Sequence, residues 1–162
     1  MPRLLKRSHP HLSLRQSVVN MYEYKCEVTR VVDGDTIDCV LDLGFSILHK
    51  CRVRLYGIDT PESRTRDLDE KARGKLASKF LEDSINNGKQ IILRSELKDS
   101  KGKYGRVLGS IVVDDLDINQ AMVTQNLAVK YFGQSKADVE AEHMLNRQKL
   151  IDSGAYVPES DI

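Results

Sequence analysis

The chain has 162 residues, of which 40% are hydrophobic and 30% are charged. This length suits one domain with one core, and this balance is typical of a globular protein rather than a disordered one. The formal net charge of +1 argues against a protein that holds nucleic acid by a general field of positive charge. No apolar run approaches the roughly 20 residues that a membrane-spanning helix needs.

Residues 1–20 differ from the rest of the chain in charge. They contain Arg3, Lys6, Arg7 and Arg15 and no acidic residue, which leaves 21 basic and 24 acidic residues in the remainder. The segment has no continuous apolar stretch of the kind found in a secretory signal, so we expect an intracellular location rather than a secreted protein. We interpret residues 1–20 as a disordered basic extension. The alternatives are an arm that contacts phosphate and sequence upstream of a start at Met21.

Three strands are predicted in the first part of the chain. Apolar and polar residues alternate in 24–32, 36–43 and 47–55, and turn signals separate these runs at Asp33–Asp35 and at Gly44. The pattern predicts a three-stranded meander with one apolar face. The residues predicted on that face are Tyr24, Cys26, Val28, Ile37, Cys39, Leu41, Leu43, Ile47, His49, Cys51, Val53 and Leu55.

A helix and two more strands are predicted next. Apolar residues recur at helical spacing from Asp69 to Asn87, and Gly88 is predicted to cap the C-terminus of this helix. Strands are predicted in 89–97 and 106–113, with a loop between them.

Two shorter helical signals follow the fifth strand. Asp117 is placed to cap a short helix, and Ser135 with Asp138 resembles a capping box for a last helix that ends near Leu150. We expect residues 21–153 to form the domain and residues 154–162 to form a loose tail.

The cysteines do not indicate a disulfide framework or a zinc site. Cys26, Cys39 and Cys51 are an odd number with no C-x-x-C spacing, and all three fall in strand-like runs. We therefore expect free thiols that pack in the core, which favours a reducing compartment.

Five short strands with a helix between the third and the fourth fit an OB-type barrel. The fold class predicted from the sequence is therefore α+β, a mainly β, five-stranded OB-fold barrel with about three helices.

Three acidic residues are placed to meet at one end of such a barrel. Asp35 follows the first hairpin turn, and Asp59 and Glu62 follow the third strand. Carboxylates that converge in this way repel one another unless a cation or protons intervene. A hard divalent cation, calcium above all, accepts carboxylate and carbonyl oxygens and would relieve that repulsion.

Two arginines complete a set suited to phosphoryl transfer. Arg54 points away from the core face five residues before Asp59, and Arg106 begins the fifth strand. The planar guanidinium fork suits two-point binding of phosphate oxygens. A metal and arginines stabilise the charge that develops on phosphorus, while a carboxylate orients or deprotonates water.

The stretches "VVDGDT", "RLYGIDTPE" and "KYGR" occur in this order, and together they resemble the staphylococcal nuclease (thermonuclease) family. The resemblance covers roughly Tyr24 to Tyr131, with weaker similarity through the last helix. It implies an OB-fold nuclease that is calcium-dependent and cuts both DNA and RNA.

The resemblance implies specific roles for the acidic residues. Asp35 and Asp59 match the calcium-ligating carboxylates, and the backbone carbonyl of Thr60 matches a further ligand. Glu62 matches the acid that positions or activates the attacking water, although the sequence leaves open whether it is a true general base.

The resemblance also assigns substrate contacts. Arg54 and Arg106 match the two arginines that grip phosphate, and Tyr131 matches one of two tyrosines that flank the substrate. Family enzymes expel the 5′-oxygen and leave 3′-phosphate ends. Phe132–Gly133 stands where the second tyrosine is often found, which leaves base preference open. We expect DNA and RNA substrates, with single strands preferred, a monomer and no membrane partner.

Two other interpretations stay open at this point. The chain could be a non-catalytic OB-fold module that binds nucleic acid or a protein, although every catalytic position of the family pattern is filled. The chain has no tryptophan, and Tyr156 is a candidate for the packing role of the tryptophan frequent in the family. The histidines show no ligand spacing, and we assign none of them to a metal: His9, His11, His49 and His143.

Overall fold

The structure is a computed structural model and describes residues 22–96 and 107–159. In chain order the strands are β1 (Glu23–Asp33), β2 (Thr36–Asp42), β3 (Leu48–Leu55), β4 (Ile58–Asp59), β5 (Ile91–Ser95), β6 (Val107–Val113), β7 (Leu116–Asp117) and β8 (Val129–Lys130). The helices are α1 (Leu68–Asn87), α2 (Ile118–Thr124) and α3 (Lys136–Asp152). Within the described ranges, no helix is long and apolar enough to cross a bilayer.

Five of the strands close into a barrel. β2 pairs with both β1 and β3, and β5 pairs with both β1 and β6, all antiparallel. A short parallel pairing of Val53–Leu55 in β3 with Val107–Gly109 in β6 closes the ring. With three helices added, this is the α+β OB-fold barrel that the sequence predicts, because the five barrel strands lie where alternation placed them.

The core fills the barrel and extends beneath α1. Its largest fully buried side chains come from all the barrel strands except β1, together with β4 and the first two helices. Cys26, Cys39 and Cys51 are free thiols, and the first two are buried in that core. The Sγ atoms of Cys39 and Cys51 lie 3.9 Å apart across β2 and β3, and burial raises the pKa of the Cys51 thiol to about 12.

The hairpin between β2 and β3 departs from the predicted apolar face. Leu43, Ile47 and His49 were expected to face the core, but Leu43 is 40% exposed, Ile47 is 54% exposed and His49 is also exposed. The β1–β2 register begins at the pair Lys25 and Asp42, so the tip of the hairpin extends past the first paired residue of β1. Alternation predicts a strand face, but it does not say how far the packed layer reaches.

Each helix begins at a capping side chain. Asp67 accepts hydrogen bonds from the backbone of α1, Asp117 from that of α2 and Ser135 from that of α3. Gly88 occupies the C-cap of α1 as predicted, but its backbone is extended and not left-handed. A Cβ at Gly88 would clash with Cγ1 of Val113, so close packing against β6 favours glycine there.

The segment after α3 packs against the domain at two positions. Tyr156 and Pro158 are buried, within the part of the chain for which we expected a loose tail. The backbone N–H of Tyr156 donates to the carbonyl of Leu150 at 3.1 Å. Residues 1–20 and 160–162 lie outside the described residues, so the division into extension, domain and tail stays a prediction.

Candidate active site

Asp35 lies in the two-residue turn that joins β1 to β2, and its side chain is largely buried. Thr36 Oγ1 donates to Asp35 Oδ1 at 3.0 Å, and the backbone N–H of Thr60 donates to Asp35 Oδ2 at 3.2 Å. The backbone carbonyl of Asp35 accepts from the N–H of Leu55 at 2.8 Å. These bonds fix the turn against the end of β3, so Asp35 and the segment after β3 are held together.

The bend after β3 depends on a glycine and on Arg54. Gly57 has φ +77°, a left-handed conformation that side chains with a Cβ rarely adopt. Arg54 Nη1 donates to the carbonyls of Leu55 and Ile58, both at 3.0 Å. The guanidinium therefore fills the inside of the bend and turns the chain toward Asp59.

A short two-stranded sheet supports the same bend from the other side. β4 pairs with β8, with Asp59 opposite Val129 and Ile58 opposite Lys130. Next to this pairing, the N–H of Tyr131 donates to the carbonyl of Gly57 at 2.8 Å. Tyr131 is 43% exposed, so it lies beside the bend and stays accessible from solvent.

Arg54 brings the two predicted metal ligands together. Its Nη2 lies 3.2 Å from Asp35 Oδ2 and 3.4 Å from Asp59 Oδ1. Only 17% of the Arg54 side chain is exposed, and the two carboxylates are 13% and 29% exposed. The partial burial strengthens these charge interactions relative to those on an open surface. Two acids that are 24 positions apart thus share one cation.

Glu62 lies on the solvent side of this group. Its backbone N–H donates to Glu70 Oε1 at 3.2 Å, which ties it to the first turn of α1. Partial burial, together with the negative charges of Asp35, Asp33 and Asp59, raises the pKa of the Glu62 carboxyl above its ordinary value. A raised pKa makes a carboxylate a stronger proton acceptor.

Helix α1 packs closely against both the turn that contains Asp35 and the segment that contains Glu62. A Cβ at Gly74 would lie 2.7 Å from the carbonyl oxygens of Pro61 and Glu62, and a Cβ at Gly34 would lie 2.7 Å from Cβ of Ala77. Both values are shorter than real Cβ contacts allow. The helix therefore touches the backbone on both sides of the carboxylate group, and glycine permits the close approach.

Sequence reasoning missed His143, which lies on α3. Its Nε2 is 2.7 Å from Asp59 Oδ2, although the two residues are 84 positions apart. The ring is almost fully buried, with 7% of the side chain exposed. A single histidine in a polar helix has no spacing that predicts such a contact. Only the docking of α3 reveals it.

Asp33 was interpreted as a turn residue, and the structure gives it a partner as well. The hydroxyl of Ser63 donates to Asp33 Oδ1. This bond links the first hairpin turn to the residue after Glu62. It is a second link, besides the bonds of Asp35, between that turn and the segment after β3.

A partly buried cluster around Asp69 holds α1, α3 and the C-terminal segment together. Asp69 accepts from Arg73 Nε at 3.1 Å, from Arg147 Nε at 3.0 Å and from the Tyr156 hydroxyl at 2.5 Å. Burial disfavours the charged form of Asp69, but the bonds from Arg147 and Tyr156 outweigh it, so the pKa of Asp69 lies below its usual value. Burial and the contact with Asp69 raise the pKa of Tyr156 to about 12.

The donor atoms around Asp35 suit a hard cation, but the protein ligands are few. In the ranges that the structure describes, no three or more His, Cys, Asp or Glu side chains are grouped to hold a metal ion. Asp35 and Asp59 both lie within 3.4 Å of Arg54 Nη2, and the buried Thr60 Oγ1 has no hydrogen-bond partner. Two carboxylates and a hydroxyl or carbonyl fit calcium if water supplies the remaining oxygens.

Arg106 lies outside the described residues, as do Lys98, Lys101, Lys103 and Tyr104 of the preceding loop. The structure describes the residue after it, Val107, which pairs with Val53 at the start of β6.

Comparison with known proteins shows which family the chain belongs to. The family model described as "Staphylococcal nuclease homologue" matches residues 52–151, which is more than half of the chain. The chain belongs to the staphylococcal nuclease family.

Individual relatives carry nuclease names. "Endonuclease YncB" of Bacillus subtilis is 27% identical over 161 residues, covering 94% of this chain and 71% of the relative. "Endonuclease YhcR" of the same organism is 36% identical over 118 residues, which is 68% of this chain and 9% of the relative. A "Thermonuclease" of Staphylococcus intermedius is 35% identical over 101 residues, 62% of this chain and 56% of the relative.

The chain therefore spans most of one relative and only a part of the other two. Membership of the staphylococcal nuclease family, together with the names of these relatives, supports nuclease activity.

Proposed function

We propose that the chain is a calcium-dependent phosphodiesterase, an endonuclease that hydrolyses DNA and RNA and leaves 3′-phosphate ends. The observation that carries the proposal is the placement of Arg54 Nη2 within 3.2 Å of Asp35 Oδ2 and 3.4 Å of Asp59 Oδ1. Family membership supports the same conclusion. Asp59 is the most exposed of these three side chains, at 29%, so the proposed approach of a nucleic-acid strand is from its side.

The acidic residues hold the cation and the nucleophile in this proposal. Asp35, Asp59 and the carbonyl of Thr60 would hold calcium, which would supply Lewis-acid chemistry at the phosphate. Glu62 orients the attacking water or accepts its proton, and its raised pKa suits that role. Water attacks phosphorus and gives up a proton to Glu62 or to solvent. The P–O bond to the 5′-oxygen breaks, the departing 5′-oxygen takes a proton from solvent, and the phosphate stays on the 3′-oxygen.

The arginines hold the phosphate. Arg54 reaches the site from the bend, and Arg106 precedes the strand that pairs with β3 beside Arg54. Two guanidinium groups neutralise the charge that builds on the phosphate oxygens as water adds. Tyr131, exposed beside the bend, contacts the substrate next to the scissile group.

We propose that the enzyme acts as a monomer and prefers single strands. The body of the chain has no large positive surplus, so few placed cations must recognise the backbone. A flexible single strand can bend to bring one phosphate to Arg54, whereas a stiff duplex resists that bend.

The test is cleavage of single-stranded DNA, duplex DNA and RNA by the purified chain, with calcium or with EDTA. We expect calcium to allow cleavage and EDTA to stop it, with single strands cut faster than duplex. End-group analysis should find 3′-phosphate and 5′-hydroxyl ends. Asp35→Asn is the matched negative control for calcium dependence, because asparagine has about the size of aspartate but lacks the charge that would bind the cation.

Two results would contradict the proposal. Absence of cleavage with calcium across a range of pH, by a protein that still binds single strands, would instead support a non-catalytic OB-fold binding module. Cleavage that yields 5′-phosphate ends would contradict the proposed direction of bond breaking.

A further inference from the structure

His143 is a buried polar residue that has no role in the reaction proposed above. It lies on α3, and its ring contacts the carboxylate of Asp59 in β4, 84 positions earlier in the chain. The distance from Nε2 to Asp59 Oδ2 is 2.7 Å. An ionised carboxylate can only accept, so Nε2 carries the hydrogen and donates it to Asp59.

The two oxygens of Asp59 have different partners. Oδ2 accepts from His143, while Oδ1 lies 3.4 Å from Arg54 Nη2. Arginine and carboxylate groups tend to form two parallel hydrogen bonds when both oxygens are free. If His143 did not hold Oδ2, the Asp59 carboxylate could rotate to pair with Arg54 through both oxygens. Such a pair would occupy both groups and turn them away from cation and phosphate.

Contacts of α3 other than the bond to Asp59 also hold His143 in place. One turn along α3, Asn146 Nδ2 donates to the carbonyl of Ala128 at 3.1 Å. Ala128 precedes Val129, the residue that pairs with Asp59. Leu150 is also buried. Contacts other than that of His143 therefore hold α3 against β8, the strand that pairs with β4. Because α3 is held in this way, the His143 ring lies next to Asp59.

We infer that His143 is a positioning residue for the nuclease reaction: its ring holds the Asp59 carboxylate so that one oxygen stays available to the cation. The inference rests on the proposed function. Residues that hydrogen-bond to metal ligands orient those ligands, and their loss typically weakens metal affinity or activity about 10- to 100-fold.

The test measures calcium affinity by titration calorimetry and steady-state kinetics at saturating calcium, for the wild type, three test variants and Asp35→Asn as the reference for lost calcium binding. We expect His143→Ala to weaken calcium binding about 10- to 100-fold and to lower kcat, with KM for single-stranded DNA little changed. His143→Gln should recover much of the calcium affinity, because its amide nitrogen can donate to the same oxygen. Asn146→Ala should lower the melting temperature and keep the calcium affinity.

The glutamine variant keeps the test decisive if His143→Ala does not fold. A folded His143→Gln whose calcium affinity falls as low as that of Asp35→Asn would overturn the inference. So would a folded His143→Ala with unchanged calcium affinity and kcat. In both cases an active wild type would leave the proposed function standing. A wild type that neither binds calcium nor cuts nucleic acid would overturn the function, and with it the positioning role.

Discussion

The roles proposed for single residues depend on how each charged group is held. Glu62 is the acid least constrained by protein partners among those proposed, since it lies on the solvent side and is tied through its backbone to Glu70. Asp35 and Asp59, by contrast, each share Arg54. This difference suits a free carboxylate that handles water and two fixed carboxylates that handle a cation.

At this scale we predict that Glu62→Gln lowers kcat with calcium about 10²- to 10⁴-fold. Glutamine keeps the shape of the side chain but cannot accept a proton from water. Because the Glu62 side chain is exposed at the edge of the fold, the melting temperature should stay near that of the wild type. Single-turnover cleavage and thermal melting measure the two effects, and a turnover near that of the wild type would count against the role of Glu62.

The elements position those residues through a few close contacts. α1 meets the backbone of Pro61 and Glu62 at Gly74 and meets the first hairpin turn at Ala77. Asp69, near the start of the same helix, joins α3 and Tyr156. One helix therefore contacts both the segment of the candidate site and the C-terminal part of the domain.

We predict that Gly74→Ala destabilises the protein by about 1–3 kcal/mol, because overpacking forces backbone shifts. In an exposed helix interior the same change would instead stabilise by about 1 kcal/mol. The shift falls on Pro61 and Glu62, so kcat should drop as well. Urea unfolding and steady-state kinetics measure both effects. Lys75→Ala, an exposed neighbour on the same helix, is the matched control and should change neither.

We predict that Asp69→Asn lowers the free energy of unfolding at neutral pH by about 1.5–3 kcal/mol, since hydrogen bonds to a charged acceptor are lost. Tyr156→Phe, which removes one of those donors, should cost less. Urea unfolding of the three proteins measures the order.

The low pKa of Asp69 gives this prediction a pH dependence. A carboxyl whose folded-state pKa is depressed stabilises the fold above its unfolded pKa, and that stability is lost as pH falls through the folded pKa. The difference between wild type and Asp69→Asn should therefore be full at neutral pH and shrink below about pH 4. A difference that stayed constant down to pH 2 would rule out this role of the Asp69 charge.

For the whole molecule, closure of the barrel decides whether the site exists. The parallel pairing of β3 with β6 places Arg54 opposite Leu108, and the turn before β2 is tied to the end of β3. Since Asp35 and Asp59 come from different parts of this frame, they approach each other only in the folded state. A cation bound between them must therefore stabilise folding.

We predict that calcium raises the melting temperature of the wild type and that EDTA reverses the rise. At a calcium concentration about 100 times Kd the gain is about 2.7 kcal/mol. Asp35→Asn should show little or no rise, because one of the two carboxylates is lost. Differential scanning calorimetry with calcium, with EDTA and with sodium at matched ionic strength makes the measurement. A rise of the same size in Asp35→Asn would place the cation elsewhere.

The sequence by itself determined the barrel and predicted the residues of the candidate site. Strand alternation and capping residues such as Asp117 and Ser135 are local signals, and they gave each barrel strand and each helix its place within a few residues. The site residues Asp35, Arg54, Asp59 and Glu62 lie in short motifs where turn geometry and chemistry coincide. The structure brings Asp35 and Asp59 onto Arg54, while their roles and that of Arg106 stay predictions.

Tertiary structure alone decided which distant residues support that site. His143 reaches Asp59, Tyr156 reaches Asp69, and Gly74 admits the backbone of Glu62. It also decided that the β2–β3 hairpin carries Leu43 and Ile47 out of the core. These contacts join segments far apart in the chain, and they arise from how helices dock on the barrel. The hydrophobic pattern of a segment predicts its secondary structure but not the distant segment that it packs against. These contacts therefore could not be predicted from the sequence alone.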